Sequence, residues 1–193
     1  MIERVVDVLV LLPEFLVILD NLADDDTKRL VNPTKDLLAR LDSIWQEYES
    51  EAELRSRNFL GNNDYQVCAY PDAFTSMTVS YFDCARVVLL SILAIVAPDL
   101  NSDYSSEITH SCESILSCVA FIDTHDIGCA YLSVIFPLVL VYSNSPSESH
   151  RWAAYSTLQK WQSESMMTGA SATALHSLGI IATNREGLKQ MRI

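Results

Sequence analysis

Asp83 and Arg86 sit three residues apart in the most apolar stretch of the chain. On a helix that spacing makes them neighbours on one face. One reading is a structural ion pair bracing a helical bundle. The sharper reading is a pocket dyad, because a carboxylate in apolar surroundings has a raised pKa and serves as an acid or a base. Tyr81 on the same segment, with His110 and Tyr131 elsewhere, adds donors that could polarise a substrate. His110 and Cys112 are two apart, which puts them on different faces of a helix and argues against a nucleophile pair. Asp123, His125 and Asp126 form a turn rich in ligand-type side chains, a pattern usual for a solvated cap.

Amphipathic rings are numerous. Most should pack, each polar atom reaching a partner or water. A subset, Tyr65, Tyr70, Tyr131, Tyr142 and Trp152, has the make-up of a small-molecule site, with apolar walls and a few hydrogen-bond donors. Such a cavity would lie beside the apolar segments Ala73–Ala97 and Ile127–Val141.

The remaining chemistry-bearing motifs are missing. The five glycines are isolated, so there is no phosphate loop, and no dinucleotide fingerprint, G-x-S-x-G or H-E-x-x-H occurs. Any enzyme here is expected to work without a cofactor. No metal site is expected either, since the cysteines form no C-x-x-C pair and the four histidines are far apart in sequence. The five cysteines lie mostly in apolar runs and read as reduced thiols of an intracellular protein. With 13 basic against 25 acidic residues the net charge is −12, which repels phosphate backbones and argues against direct nucleic-acid binding.

These residues need elements to hold them. The 193 residues, 49% hydrophobic and poor in Gly and Pro, are enough for one domain with a real core. The N-terminal apolar run carries Glu3 and Asp7, is interrupted by Pro13-Glu14 and lacks a small-residue cleavage site, so it reads as a core helix instead of a signal peptide. The run Val87–Ala97 is shorter than a membrane span, and no span is expected. Pro13 should end one short helix or open the next, and Asp24 to Asp26 should be a solvated connection. Asn32-Pro33 has the form of a helix start, followed by the stripe Leu37, Leu38, Leu41, Ile44, Trp45 and Tyr48. Ala73–Ala97 is apolar nearly all round and should run through the middle. Ser102 or Ser105 should cap the next helix, whose inward face is Ile108, Cys112, Ile115, Val119 and Ile122. Pro137 should kink or divide the Ile127–Val141 segment. Ser145-Pro146-Ser147-Glu148 resembles a capping box, with Trp152, Tyr155, Leu158 and Trp161 following at helical spacing. Gly169 should end or interrupt that helix, and a last one should cover Ala172–Ile181. No strand alternation is present. The expected fold is all-α: one layered helical domain, 1–193, of about seven mostly antiparallel helices.

The run 136–161 resembles the C-terminal part of the regulatory domain of fungal zinc binuclear-cluster transcription factors. Pro137-Leu138, Ser145-Pro146, Arg151, Ala153, Leu158 and Trp161 carry the likeness. Leu12-Pro13, the Leu41–Trp45 stripe and the Ala73–Leu93 helix extend it over most of the chain. The six-cysteine zinc cluster that reads DNA in that family has no counterpart in these residues, nor has a basic region or a heptad array. The resemblance therefore implies the fold and a sensing role without DNA binding. Two functions follow: a module holding a hydrophobic metabolite or a protein partner, or a cofactor-independent cyclase or isomerase, such as a Diels–Alder catalyst, acting on a hydrophobic intermediate of fungal secondary metabolism. For the second, Asp83, Arg86, Tyr81 and His110 are the candidate catalytic residues.

Overall fold

Helical periodicity becomes helix along nearly all of the described chain. The computed structural model describes residues 2–20, 27–59, 72–97, 104–125, 130–164 and 168–178. The elements are α1 (Ile2–Asp20), α2 (Thr27–Phe59), α3 (Ala73–Val96), α4 (Tyr104–Thr124), α5 (Ala130–Asn144) and α6 (Glu148–Glu164). A further helix, α7, covers 168–178. No strand occurs among the described residues, and the fold is all-α, as the periodicity predicts.

Asp72 starts α3. Its backbone is extended and its Oδ1 accepts a 2.7 Å hydrogen bond from the Thr75 amide, satisfying one of the free donors of the first turn. From there α3 is apolar on almost every side and must be covered on every side. α1, α2, α4 and α5 all pack on it. By length and composition alone α3 could cross a bilayer, but 67% of its most apolar stretch is buried within the fold, as in the core helix of a bundle.

The pairs α1–α2, α2–α3, α3–α4 and α5–α6 run antiparallel, as pairs of cross-contacts show. Arg4 meets Glu47 while Asp7 meets Arg40 between α1 and α2. Between α2 and α3, Asp42 meets Arg86 and Trp45 stacks on Phe82 at 4.6 Å. Ser76 Oγ reaches the Cys118 carbonyl at one end of the α3–α4 seam, and Arg86 reaches Glu107 at the other. Between α5 and α6, Tyr142 faces Tyr155 and Tyr131 meets Trp161 edge-on at 4.7 Å. The expected inward face of α4 is entirely buried: Ile108, Cys112, Ile115, Val119 and Ile122 join Leu90, Leu138, Leu158 and Trp161 in the main core. A second cluster, Val5, Val8, Leu12, Leu41, Ile44, Phe82 and Leu89, ties α1 and α2 to the other side of α3.

The prolines correct the sequence reading. α1 runs straight through Pro13, and α2 begins at Thr27 and runs through Pro33, so Asn32 is not a cap. The cause is packing ahead of each proline. Val8 and Leu12 are buried before Pro13. Leu30, 3% exposed, packs with Ile92, Val96 and Ala97 before Pro33. That burial outweighs the lost hydrogen bond. Pro137 lies inside a continuous α5, so it does not divide that segment. Ser105 lies inside α4, which starts at Tyr104, and so is not its cap. At α6 the first helical carbonyl is that of Ser147, which accepts from the Arg151 amide, while Ser145 Oγ accepts from the Ser147 amide at 3.3 Å as the expected cap would. Gly169 lies within α7, which starts earlier than Ala172. The connection Asp24–Asp26, Ser102, Asp126 and the chain beyond 178 lie outside the described residues.

Candidate functional site

The four residues with catalytic potential diverge. Asp83 points into the α3–α4 seam and is 6% exposed. Burial pushes its carboxyl up to about 6, while hydrogen bonds with Ser114 and Ser111 and the charges of Arg86 and His110 pull it partly back. Two residues away, Tyr81 turns toward α5 and shares a hydrogen bond with Ser133; burial is the main reason its phenol lies above the usual range. Arg86 does not pair with Asp83. Its guanidinium bridges Asp42 of α2 and Glu107 of α4, the latter at 3.0 Å, and lies 5.9 Å from the Phe82 ring centre. The dyad expected from the spacing of three is thus replaced by a three-helix clamp, because two carboxylates on neighbouring helices reach Arg86 from its more open side. His110 is exposed on α4, whereas Cys112 is buried in the core.

Among the described residues Cys84, Cys112 and Cys118 are buried and form no disulfide, while Cys68 and Cys129 lie outside them. Burial holds the Cys84 thiol well above its ordinary value and pushes Cys112 up to about 11, although a Ser145 hydrogen bond opposes the latter. These two behave as small hydrophobes. Asp123 ends α4 as a hinge of packing: it accepts from Lys160 Nζ at 2.7 Å and from Trp161 Nε1 at 2.8 Å. His125 bonds the Phe121 carbonyl at 2.8 Å. Among the described residues no cluster of three His, Cys, Asp or Glu side chains could hold a metal ion.

The aromatic set divides as well. Tyr131 is core, 7% exposed against Trp161. Tyr65 and Tyr70 lie outside the described residues. Tyr142 and Trp152 meet at the surface, where they line an open groove of about 530 Å³ with Glu148, Ser149, Arg151 and Tyr155. This groove lies at the α5–α6 junction, next to the Ile127–Val141 segment as expected but with no α3 residue in its lining. Tyr155 is shared by two ring pairs, 6.0 Å from Tyr142 and 6.1 Å from Trp152. Trp152 is 66% exposed. The junction beneath is fixed by Arg151, whose Nη1 donates to the carbonyls of Ser145 at 2.6 Å and Pro146 at 3.1 Å. Those carbonyls sit just past the end of α5, where a cation is favourable. The Ser-Pro…Arg residues of the family-like motif therefore act as a structural clasp that presents the rings.

Tyr155, Glu148 and Arg151 were not among the expected ligand residues. Their signal lay in helix phase. Nine residues at about 100° each put Trp152 about half a turn away from Trp161, so a segment burying Leu158 and Trp161 must turn Trp152 outward.

Comparison with family models, with curated proteins and with solved structures finds no match.

Proposed function

We propose that this chain is a protein-binding module whose docking site is the α5–α6 aromatic groove. A single observation carries the proposal: Trp152, a large ring 66% exposed, stands beside Tyr155 in an open groove on the α5–α6 helix pair. Tryptophan and tyrosine are the side chains most often decisive at interfaces, and an exposed cluster of them is costly unless something covers it. The acidic surface and the resemblance to a regulatory domain support a sensing or adaptor role inside the cell, without direct DNA binding and without a membrane span. The test is a photo-crosslinking residue placed at position 152, with position 10 on α1 as control, in an extract of the source cells. A protein cross-linked from 152, whose purified complex weakens about tenfold on Trp152→Ala, supports the reading. A partner indifferent to Trp152→Ala contradicts it.

The second reading, a cofactor-independent cyclase or isomerase on a hydrophobic intermediate, rests on Asp83. A buried carboxyl at about 6 beside two serine hydroxyls is suited to proton transfer near neutrality. Incubation with polyene or aldehyde substrates, without cofactor, tests it: turnover lost on Asp83→Asn supports it, and substrate unchanged from buffer contradicts it.

A further inference from the structure

The groove has a donor-rich chemistry, and this deepens the docking proposal on which it rests. Four of its side chains, Trp152, Tyr142, Tyr155 and Arg151, have hydrogens to give. The Trp152 indole N–H and the Tyr142 hydroxyl have no hydrogen-bond partner among the described residues. The Tyr155 hydroxyl accepts from Gln159 Nε2 at 3.2 Å, which leaves its own hydrogen to give. Arg151 spends one terminal nitrogen on two carbonyls and keeps further N–H donors. The rest of the lining is aromatic side chain and Ser149, and the one carboxylate is Glu148.

A segment that fits must be rich in acceptors, poor in donors, apolar along its flanks and rigid. An α-helix or a strand uses its carbonyls internally or brings an N–H for every C=O. A polyproline II segment does neither: its carbonyls point outward with no internal hydrogen bonds, its prolines carry no N–H, and its rings pack on aromatic faces. It also loses little conformational entropy on docking. The Arg151 guanidinium at the groove is turned in part to the Ser145 and Pro146 carbonyls, and Glu148 with the chain's net charge of −12 favours a basic residue beside the prolines. We propose that the α5–α6 groove takes a proline-rich segment of a partner protein in the polyproline II conformation, flanked by arginine or lysine, with Trp152, Tyr155 and Tyr142 as the ring platform and Glu148 as the specificity residue.

A random peptide library displayed on phage and selected on the wild-type protein, with counter-selection on Trp152→Ala, tests this. Trp152 is largely exposed, so the variant retains the fold, and circular dichroism checks it. The expected survivors are proline-rich with a flanking Arg or Lys. Synthetic versions should lose about fivefold in affinity on Tyr155→Phe, the cost of one hydrogen bond, and most of their preference for Arg over Glu on Glu148→Gln. Replacing their prolines by alanine should abolish binding. Survivors that depend on Trp152 but are amphipathic helices lacking proline overturn the polyproline assignment and leave the docking site standing. A selection yielding no Trp152-dependent sequence overturns both.

Discussion

Asp83→Asn isolates what it costs to keep a carboxyl in the α3–α4 seam. Burial raises that carboxyl from 3.8 to about 6. At about 1.4 kcal/mol per unit the rise corresponds to about 3 kcal/mol. The folded state holds this proton more tightly than the unfolded chain does. The stabilisation is therefore complete below about pH 4 and is lost as pH rises through about 6. Asparagine keeps the shape and still accepts from Ser111 and Ser114, but it cannot ionise. Thermal and urea unfolding followed by circular dichroism from acid to mildly alkaline pH should show the two proteins alike at the acid end. Above the transition the variant should be the more stable by about 3 kcal/mol, or about 6–12 °C for a chain of this size. The acidic surface titrates in both proteins, so the difference between them reports Asp83. A constant gap across the range, or a variant less stable at alkaline pH, would refute the reasoning and would make the carboxylate a net stabiliser.

Other expectations follow from the same contacts. Pro33→Ala should stabilise the fold by up to about 3 kcal/mol, because Pro33 is an exposed proline in a helix interior; no change in the urea midpoint would mean that the helix starts at Pro33 after all. Arg86→Met keeps the packing on Phe82 but releases Asp42 and Glu107, whose side chains are about half exposed, so the loss should be about 1 kcal/mol and should shrink in molar salt. A loss unchanged by salt would move the clamp's contribution from charge to packing. Trp161→Phe should cost about 1–3 kcal/mol in chemical denaturation, since the buried ring gives Asp123 a hydrogen bond that phenylalanine cannot make; a neutral result would make that bond dispensable.

Packing faces were the legible part of this sequence. The spacing of Ile108, Cys112, Ile115, Val119 and Ile122 contains its own geometry, because residues three and four apart share a face whatever lies opposite. Helix boundaries were legible only where local chemistry was unopposed. Leu30 is buried ahead of Pro33 and carries the helix across a residue that locally favours a start. The polar contacts were the least legible. Arg86 has a carboxylate three residues away in sequence, yet it binds partners 44 and 21 residues away, and only the fold brings those near. Trp152 was singled out for its ring chemistry, but its position at the surface depended on a drift in helix phase that a count of spacings of three conceals.

The most direct test of the account is fluorine NMR of the protein labelled with fluorotryptophan at Trp45, Trp152 and Trp161, titrated with a proline-rich, arginine-flanked peptide. Docking in the α5–α6 groove predicts that the Trp152 resonance moves and saturates while the buried Trp161 and the α2 residue Trp45 stay in place. A Trp152 signal that remains unmoved while either of the others shifts would place binding elsewhere on the molecule and contradict the account.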